Sequence, residues 1–221
     1  MADAELQIQR FIAPGFEENG YVLYRRGGGP CWVVDPSFPP QPQEMLERIA
    51  AERLEIEAII LTHGHADHIA GLDLIRESAG SARILMPAAE HIMLSDAAQN
   101  LSAGFGMPLT VTTRADGDLA PGDTITLDGL DFTVLDTAGH SPAGRSLYCA
   151  QAGVVISGDA LFAGSIGRTD FHHCDEQMLH RTIRENLLTL PDDTQVLSGH
   201  GPPTTIGRER AFNPFLRPPG G

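Results

Sequence analysis

The chain contains no lysine: all 15 of its basic residues are arginine, so a mechanism that needs a lysine nucleophile or Schiff base is closed to it. Cysteine is scarce too. Cys31, Cys149 and Cys174 are few, odd in number and far apart, which is no disulfide framework, and they read as small incidental or buried thiols. Long hydrophobic runs are also missing. Even a run such as Ala58-Ile59-Ile60-Leu61, which none exceeds in length, falls far short of the roughly 20 residues that a membrane-spanning helix needs. Met1-Ala2-Asp3-Ala4-Glu5 has neither the basic start nor the apolar centre of a secretory signal. These absences set the expectation of a cytoplasmic protein with no membrane partner. Positive charge is in deficit: a net charge of −14 leaves no basic stripe for a phosphate backbone, so nucleic acid is not expected as a partner.

What is present is ordinary for a globular protein, with 42% hydrophobic and 20% charged residues. A length of 221 residues suits one domain with a small appendage. No repeat or low-complexity block divides it, so residues 1–213 are taken as one domain. Pro214 to Gly221, with Pro-Pro-Gly-Gly after Arg217, is taken as a tail.

Hydrophobic periodicity predicts strands near Leu6–Ile12, Tyr21–Tyr24, Cys31–Asp35 and Ile56–Thr62, with a helix from about Pro42 to Glu52. A second helix is predicted to start near Asp67 and run through Ile69, Leu72 and Ile75, whose spacing of three puts them on one face. Further strands are expected at Ile125–Leu127, Phe132–Leu135, Ser146–Cys149 and Val154–Ser157, then a helix over Glu176–Leu188 and a last strand at Gln195–Ser198. Strands lead each half, with helices between and after them. The pattern fits an α+β fold of the αββα sandwich kind better than a doubly wound parallel sheet.

The sharpest feature is Thr62-His63-Gly64-His65-Ala66-Asp67-His68, directly after the strand that ends at Leu61. Imidazole and carboxylate together suit a first-row metal, and the small Gly64 and Ala66 leave room for side chains to fold around an ion. His63 and His65, two apart in an extended segment, point the same way, while Asp67 and His68 open the next helix and can face another point. Two adjacent metals would use both pairs. A solvated loop, or a cap on the helix at Asp67, would account for this quartet alone but would call for no partners elsewhere. Three further elements have the same form: Gly139-His140-Ser141-Pro142, Gly158-Asp159-Ala160 and Gly199-His200-Gly201, each with one His or Asp directly after a glycine.

In these ordered motifs, His-x-His-x-Asp-His, a lone His, an Asp and a final His, the sequence resembles the metallo-β-lactamase superfamily. The resemblance implies the αββα fold with the site at one edge of its two sheets. It implies that His63, His65 and His140 hold one metal, that Asp67, His68 and His200 hold a second, and that Asp159 bridges them. Zinc is the first expectation, with iron or manganese accepted by the same ligands. A narrower likeness is to the short bacterial members of the glyoxalase II branch, which lack the helical C-terminal domain. It rests on Ser157-Gly158-Asp159-Ala160-Leu161-Phe162, Gly164-Ser165-Ile166-Gly167-Arg168-Thr169-Asp170-Phe171, Gly199-His200-Gly201-Pro202 and the ending Glu209-Arg210-Ala211-Phe212-Asn213-Pro214-Phe215.

That likeness implies hydrolysis of a small-molecule thioester, such as S-lactoylglutathione or a related glutathione conjugate, to acid plus thiol. Two cations about 3.5–4 Å apart can bring the pKa of a shared water near neutrality and give a hydroxide nucleophile. Asp67 and Asp159 would then be the catalytic carboxylates, orienting and neutralising without covalent attack. The rival within the same fold is a mononuclear-iron persulfide dioxygenase, which shares Gly-Arg-Thr-Asp-Phe, whereas Gly199-His200-Gly201-Pro202 resembles the hydrolases. True β-lactamases of the superfamily generally lack a carboxylate equivalent to Asp159, which counts against antibiotic hydrolysis. Arg168 is a candidate contact for an anionic substrate, with an ion pair to Asp170 the competing reading. His172, His173 and Cys174 match no ligand position of the family and read as loop residues bordering the pocket. His91 and His180 fall in expected helices, and Trp32 and Phe132 in the core. Thr62, Ser141 and Ser157 are candidates to hold the ligating histidines from behind.

Overall fold

The computed structural model describes residues 5–216. The chain divides into two compact units. One runs up to Leu119 and includes Thr126–Leu130; the other comprises Ala120–Ile125 and the chain from Asp131 on.

The first unit is built on a six-stranded sheet ordered as the chain runs: β1 (Leu6–Ala13), β2 (Glu18–Arg25), β3 (Gly29–Val34), β4 (Leu54–Ile60), β5 (Arg83–Met86) and β6 (Gly117–Asp118). The first three strands pair antiparallel, and β3 through β6 run parallel. Parallel neighbours need crossovers, and α1 (Gln41–Ala51) supplies the one between β3 and β4. Pro42 opens α1, where its missing N–H costs nothing, and Met45 and Ile49, four apart, bury its inner face against Val22, Val33, Ile59 and Ile75.

The helix expected from Asp67 through Ile75 is broken into α2 (Ala66–Ile69) and α3 (Leu72–Ser78). The break has a specific cause: the Gly71 amide donates to the carbonyl of Pro36 at 2.8 Å instead of to the preceding turn, and the ladder restarts when Ile75 donates to Gly71. All three apolar residues, Ile69, Leu72 and Ile75, still reach the core.

A second six-stranded sheet has the order β14-β13-β10-β9-β8-β7. Its strands are β7 (Thr124–Leu127), β8 (Leu130–Asp136), β9 (Arg145–Cys149), β10 (Val154–Gly158), β13 (Gln195–Ser198) and β14 (Thr204–Thr205), with a separate hairpin of β11 (Leu161–Phe162) and β12 (Ser165–Ile166). Its helices are α4 (Glu176–Thr182), capped by Asp175 accepting from the Met178 amide and continued by a π-helical turn at Ile183–Leu187, and α5 (Ile206–Phe212). Leu179, Ile183 and Ile206 pack with Val155 and Val196 of the sheet. Neither β14 nor α5 is expected from periodicity, because two residues show no alternation and seven barely make two turns. Leu216, inside the expected tail, is buried in this same apolar cluster, while the expected tail from Arg217 on lies outside the described residues.

Two β-sheets, each with its own helices, answer to the α+β class. Trp32 and Phe132 are buried in it as expected, and His91 and His180 lie in helical turns. Among the described residues no helix is long and apolar enough to cross a membrane.

Candidate metal centre

Strand direction decides where the polar residues emerge. In the first unit β3 and β4 are parallel with Val34 opposite Ile60, so Asp35 and the Leu61–His63 turn leave the sheet at the same edge. In the second, β10 and β13 are parallel with Gly158 opposite Ser198, which brings Asp159 and His200 to one edge. There β8 is antiparallel to β9 and β9 to β10, so β8 runs with β10 and delivers the loop to His140 at that edge as well. The carboxyl ends of parallel strands are the usual seat of sites in such sheets.

Within the first unit His63, His65 and His68 are all buried. His63 Nε2 lies 3.1 Å from His65 Nδ1, the rings of His63 and His68 are 4.1 Å apart, and Asp67 Oδ2 lies 4.0 Å from His68 Nε2. Asp35 organises them. It accepts the Thr62 amide on Oδ1 at 2.7 Å and the Thr62 hydroxyl on Oδ2 at 2.6 Å, and His68 Nδ1 is 3.0 Å from the same Oδ2. The Thr62 hydroxyl proton is thus spent on Asp35, so Thr62 Oγ accepts from His63 Nδ1 at 3.0 Å. Both rings thereby carry their proton on Nδ1 and present a bare Nε2, the tautomer a metal ligand needs. Asp35, His63 and His68 offer ligand atoms within 4.8 Å of one another, but with its oxygens engaged by three donors Asp35 serves as orienter.

Behind it sits Glu18, fully buried, its Oε2 accepting from Gln41 at 2.6 Å and its Oε1 3.8 Å from His68 Nδ1. Burial pushes the Glu18 carboxyl well above the usual range, partly opposed by His68.

Gly64 is required by packing: a Cβ there would lie 2.7 Å from Met93 Cβ, and its amide donates to buried Glu90 at 2.6 Å. The space expected for an ion's surroundings is thus taken by a 3-10 turn, Ala88–Leu94, pressed on the histidine loop.

In the second unit Asp159 Oδ2 lies 3.4 Å from His140 Nε2 and 3.4 Å from His200 Nε2. His140 Nδ1 meets the Arg168 carbonyl at 2.8 Å. A carbonyl only accepts, so this ring too is protonated on Nδ1, and its Nε2 lone pair faces a carboxylate oxygen. A divalent cation beside these two atoms would suit that spacing. Tetrahedral coordination at about 2.0–2.2 Å sets neighbouring ligand atoms roughly 3.3–3.5 Å apart, the spacing seen around Asp159. The residues of both units therefore fit divalent metal.

Of the candidate supports, Thr62 holds a histidine, whereas Ser157 donates to the Leu161 carbonyl and Ser141 bonds none of them. Asp35, Glu18 and the Arg168 carbonyl were not foreseen; Asp35 at the end of a buried strand is the one signal among them visible in sequence. Arg168 itself is exposed, with a bidentate pair to Asp170 at 2.6 Å and its guanidinium 4.3 Å over Phe171. That contact holds Asp170 down to about 2. His172 and His173 touch each other at 3.1 Å, and Cys174 Sγ donates to the His140 carbonyl.

Comparison with known proteins gives a consistent picture. The profile of the metallo-beta-lactamase superfamily matches residues 14–200. A probable metallo-hydrolase of Bacillus subtilis (strain 168) is 39% identical, covering 96% of this chain and 98% of its own. A hydroxyacylglutathione hydrolase of Haemophilus influenzae is 33% identical over 83% of this chain and 86% of that protein. Among solved structures, the B3 metallo-β-lactamase BLEG-1 matches at TM-score 0.90 and 36% identity, covering 96% of this chain and all of the other. A protein solved in a di-iron-bound form, TTHA1623, matches at TM-score 0.81 and 31% identity over 94% of this chain and all of the other.

Proposed function

The chain belongs to the metallo-β-lactamase superfamily, and from that premise we propose that it is a glyoxalase II-like hydrolase that cleaves a thioester, such as S-lactoylglutathione, to acid plus thiol. In this reading residues 1–213 work as one hydrolase domain. His63, His65 and His140 would hold one divalent ion and Asp67, His68 and His200 the other, with Asp159 as the carboxylate shared between them. The observation that carries it is the single Asp159 oxygen set at ligand spacing from two imidazoles, one of them, His140, held by its Nδ1 on the Arg168 carbonyl. A carboxylate at that spacing from two imidazoles is the feature that supports the thioesterase branch over antibiotic-cleaving relatives. The likeness to the Haemophilus influenzae hydroxyacylglutathione hydrolase supports the substrate class.

When bound, two zinc, iron or manganese ions would supply Lewis acidity, lowering the pKa of water and stabilising charge on a carbonyl oxygen. The residues do the rest. Asp35, Thr62 and the Arg168 carbonyl keep the Nδ1 protons of His68, His63 and His140 occupied, so every one of these rings offers Nε2 inward. Asp67 and Asp159 would contribute negative charge that offsets the cations. Arg168, paired with Asp170, would meet an anionic part of the substrate.

One preparation tests the proposal: elemental analysis, an S-lactoylglutathione assay and an oxygen-electrode assay with glutathione persulfide. Two metals per chain with thioester turnover are expected. One iron per chain with oxygen uptake would overturn the proposal in favour of persulfide dioxygenation.

A further inference from the structure

The ending Glu209 to Phe215 has no part in the chemistry just described, yet Glu209 is a carboxylate only 1% exposed. Burying such a charge is costly unless donors meet it, and here three do. Oε1 accepts the Thr204 hydroxyl at 2.6 Å; Oε2 accepts the Gly164 amide at 2.8 Å and Asn213 Nδ2 at 2.9 Å. Asn213 Nδ2 also donates to the Ser165 carbonyl at 2.9 Å. Gly164 and Ser165 form the turn end of the β11–β12 hairpin.

That hairpin needs outside help. Its strands are two residues each, paired only at Leu161–Ile166 and Phe162–Ser165, and a lone two-stranded hairpin is marginal even when longer. What it carries is exacting. The next residue, Gly167, donates to the Ala160 carbonyl at 3.2 Å. It lies so close to the site that a Cβ would fall 2.0 Å from the Asp159 carbonyl oxygen and 2.9 Å from His140 Cβ. One residue further, the Arg168 carbonyl fixes the His140 tautomer. A ligand set tolerates misplacement of only about 0.5 Å.

We propose that Glu209 and Asn213 are positioning residues for His140 and Asp159, acting by clamping the turn of the β11–β12 hairpin so that Gly167 and Arg168 are seated against both. The clamp rests on the reading of His140 and Asp159 as metal ligands. It gives the closing sequence, alike to the short glyoxalase II branch, a role at the site rather than only in the core.

The test reads zinc affinity by chelator competition, with no substrate, together with the downfield NMR resonance of the His140 Nδ1 proton. Glu209→Ala and Asn213→Ala are expected to weaken zinc binding about 10–100-fold, the range for losing an outer partner of a metal ligand, and to broaden the His140 resonance by faster exchange. Glu209→Gln is expected to behave nearly as wild type: its carbonyl still takes the Gly164 amide, and the Thr204 hydroxyl turns to accept from the new NH2. Leu187→Ala, a change in the same apolar cluster, is expected to lower the Tm without altering zinc affinity in the folded protein. If Glu209→Ala fails to fold, Asn213→Ala carries the comparison. Wild-type affinity and an unchanged resonance in the folded alanine variants would overturn the clamp, as would an equal affinity loss in Leu187→Ala. A wild-type protein that binds two zinc ions but cleaves no thioester would sink the proposed function and leave the clamp standing.

Discussion

Asp35 and Thr62, 27 residues apart in sequence, are joined twice: the Thr62 amide donates to one carboxylate oxygen and its hydroxyl to the other. The second bond decides the protonation of a third residue. With its proton directed at Asp35, the Thr62 oxygen can only accept from His63 Nδ1. Asp35→Asn keeps the volume but puts an NH2 against Thr62 or His68. Where it faces the Thr62 hydroxyl, that group turns its proton toward His63 Nδ1 and drives the ring proton to Nε2, the inward atom. Metal affinity is expected to fall about 10–100-fold with the far-UV spectrum intact, measured by chelator competition. Asp35→Ala, which leaves three donors facing a cavity, is expected to lower stability by several kcal/mol as well, at about 1–3 kcal/mol for each donor left unsatisfied. Unaltered affinity in Asp35→Asn would remove Asp35 from the site.

Gly167→Ala is the smallest change with a large expected effect. The added methyl would overlap the Asp159 carbonyl oxygen and crowd the His140 ring, and backbone cannot yield as a flexible side chain can. Metal content is expected to fall below two per chain and thioester turnover by more than about 100-fold, with the core retained because Gly167 lies outside it. Elemental analysis beside circular dichroism separates that outcome from unfolding.

The His63–His68 cluster, the three His or Asp residues that follow glycines and most of the long strands stand out in sequence because each carries its signal locally. Four His or Asp residues in seven, after a buried strand, are hard to mistake. What was not legible depends on distance. Asp35, Glu90 and Glu209 are single acids whose partners, Thr62, Gly64 and Gly164, lie 27, 26 and 45 residues away, and nothing beside them announces the contact. The break at Gly71 is hidden for the opposite reason: Ile69, Leu72 and Ile75 keep their spacing across it, so the apolar stripe reads as one helix while a bond to Pro36 diverts the backbone. Strands β6, β11, β12 and β14, of two residues each, are held by their neighbours and have no period of their own.

Cys31 sets an expected slope on the alkaline side. Burial, reinforced by Glu55 and Glu57, pushes its thiol up to about 12, whereas an unfolded cysteine ionises near 8.5. Between those values the folded chain keeps a proton that the unfolded chain has lost, so stability must fall as pH rises. The Tyr21 hydroxyl, also raised by burial and by Glu18, adds a slope of the same sign above about pH 10. Urea midpoints are expected to decline from pH 9 to 11, less steeply in Cys31→Ala by about one proton. A slope unchanged in that variant would show that the thiol is not held protonated.

Asp159→Asn tests the bridge with the least disturbance. The amide matches the carboxylate in shape and can still present one oxygen to one imidazole, but it cannot place negative charge 3.4 Å from both His140 Nε2 and His200 Nε2. If Asp159 serves two ions, the loss appears as stoichiometry before it appears as stability: close to one metal per chain, turnover down by more than about 100-fold, and a Tm of the metal-free protein near that of wild type. That last reading is the discriminating one. A purely structural Asp159 would show its loss in the metal-free Tm while metal content stayed at two.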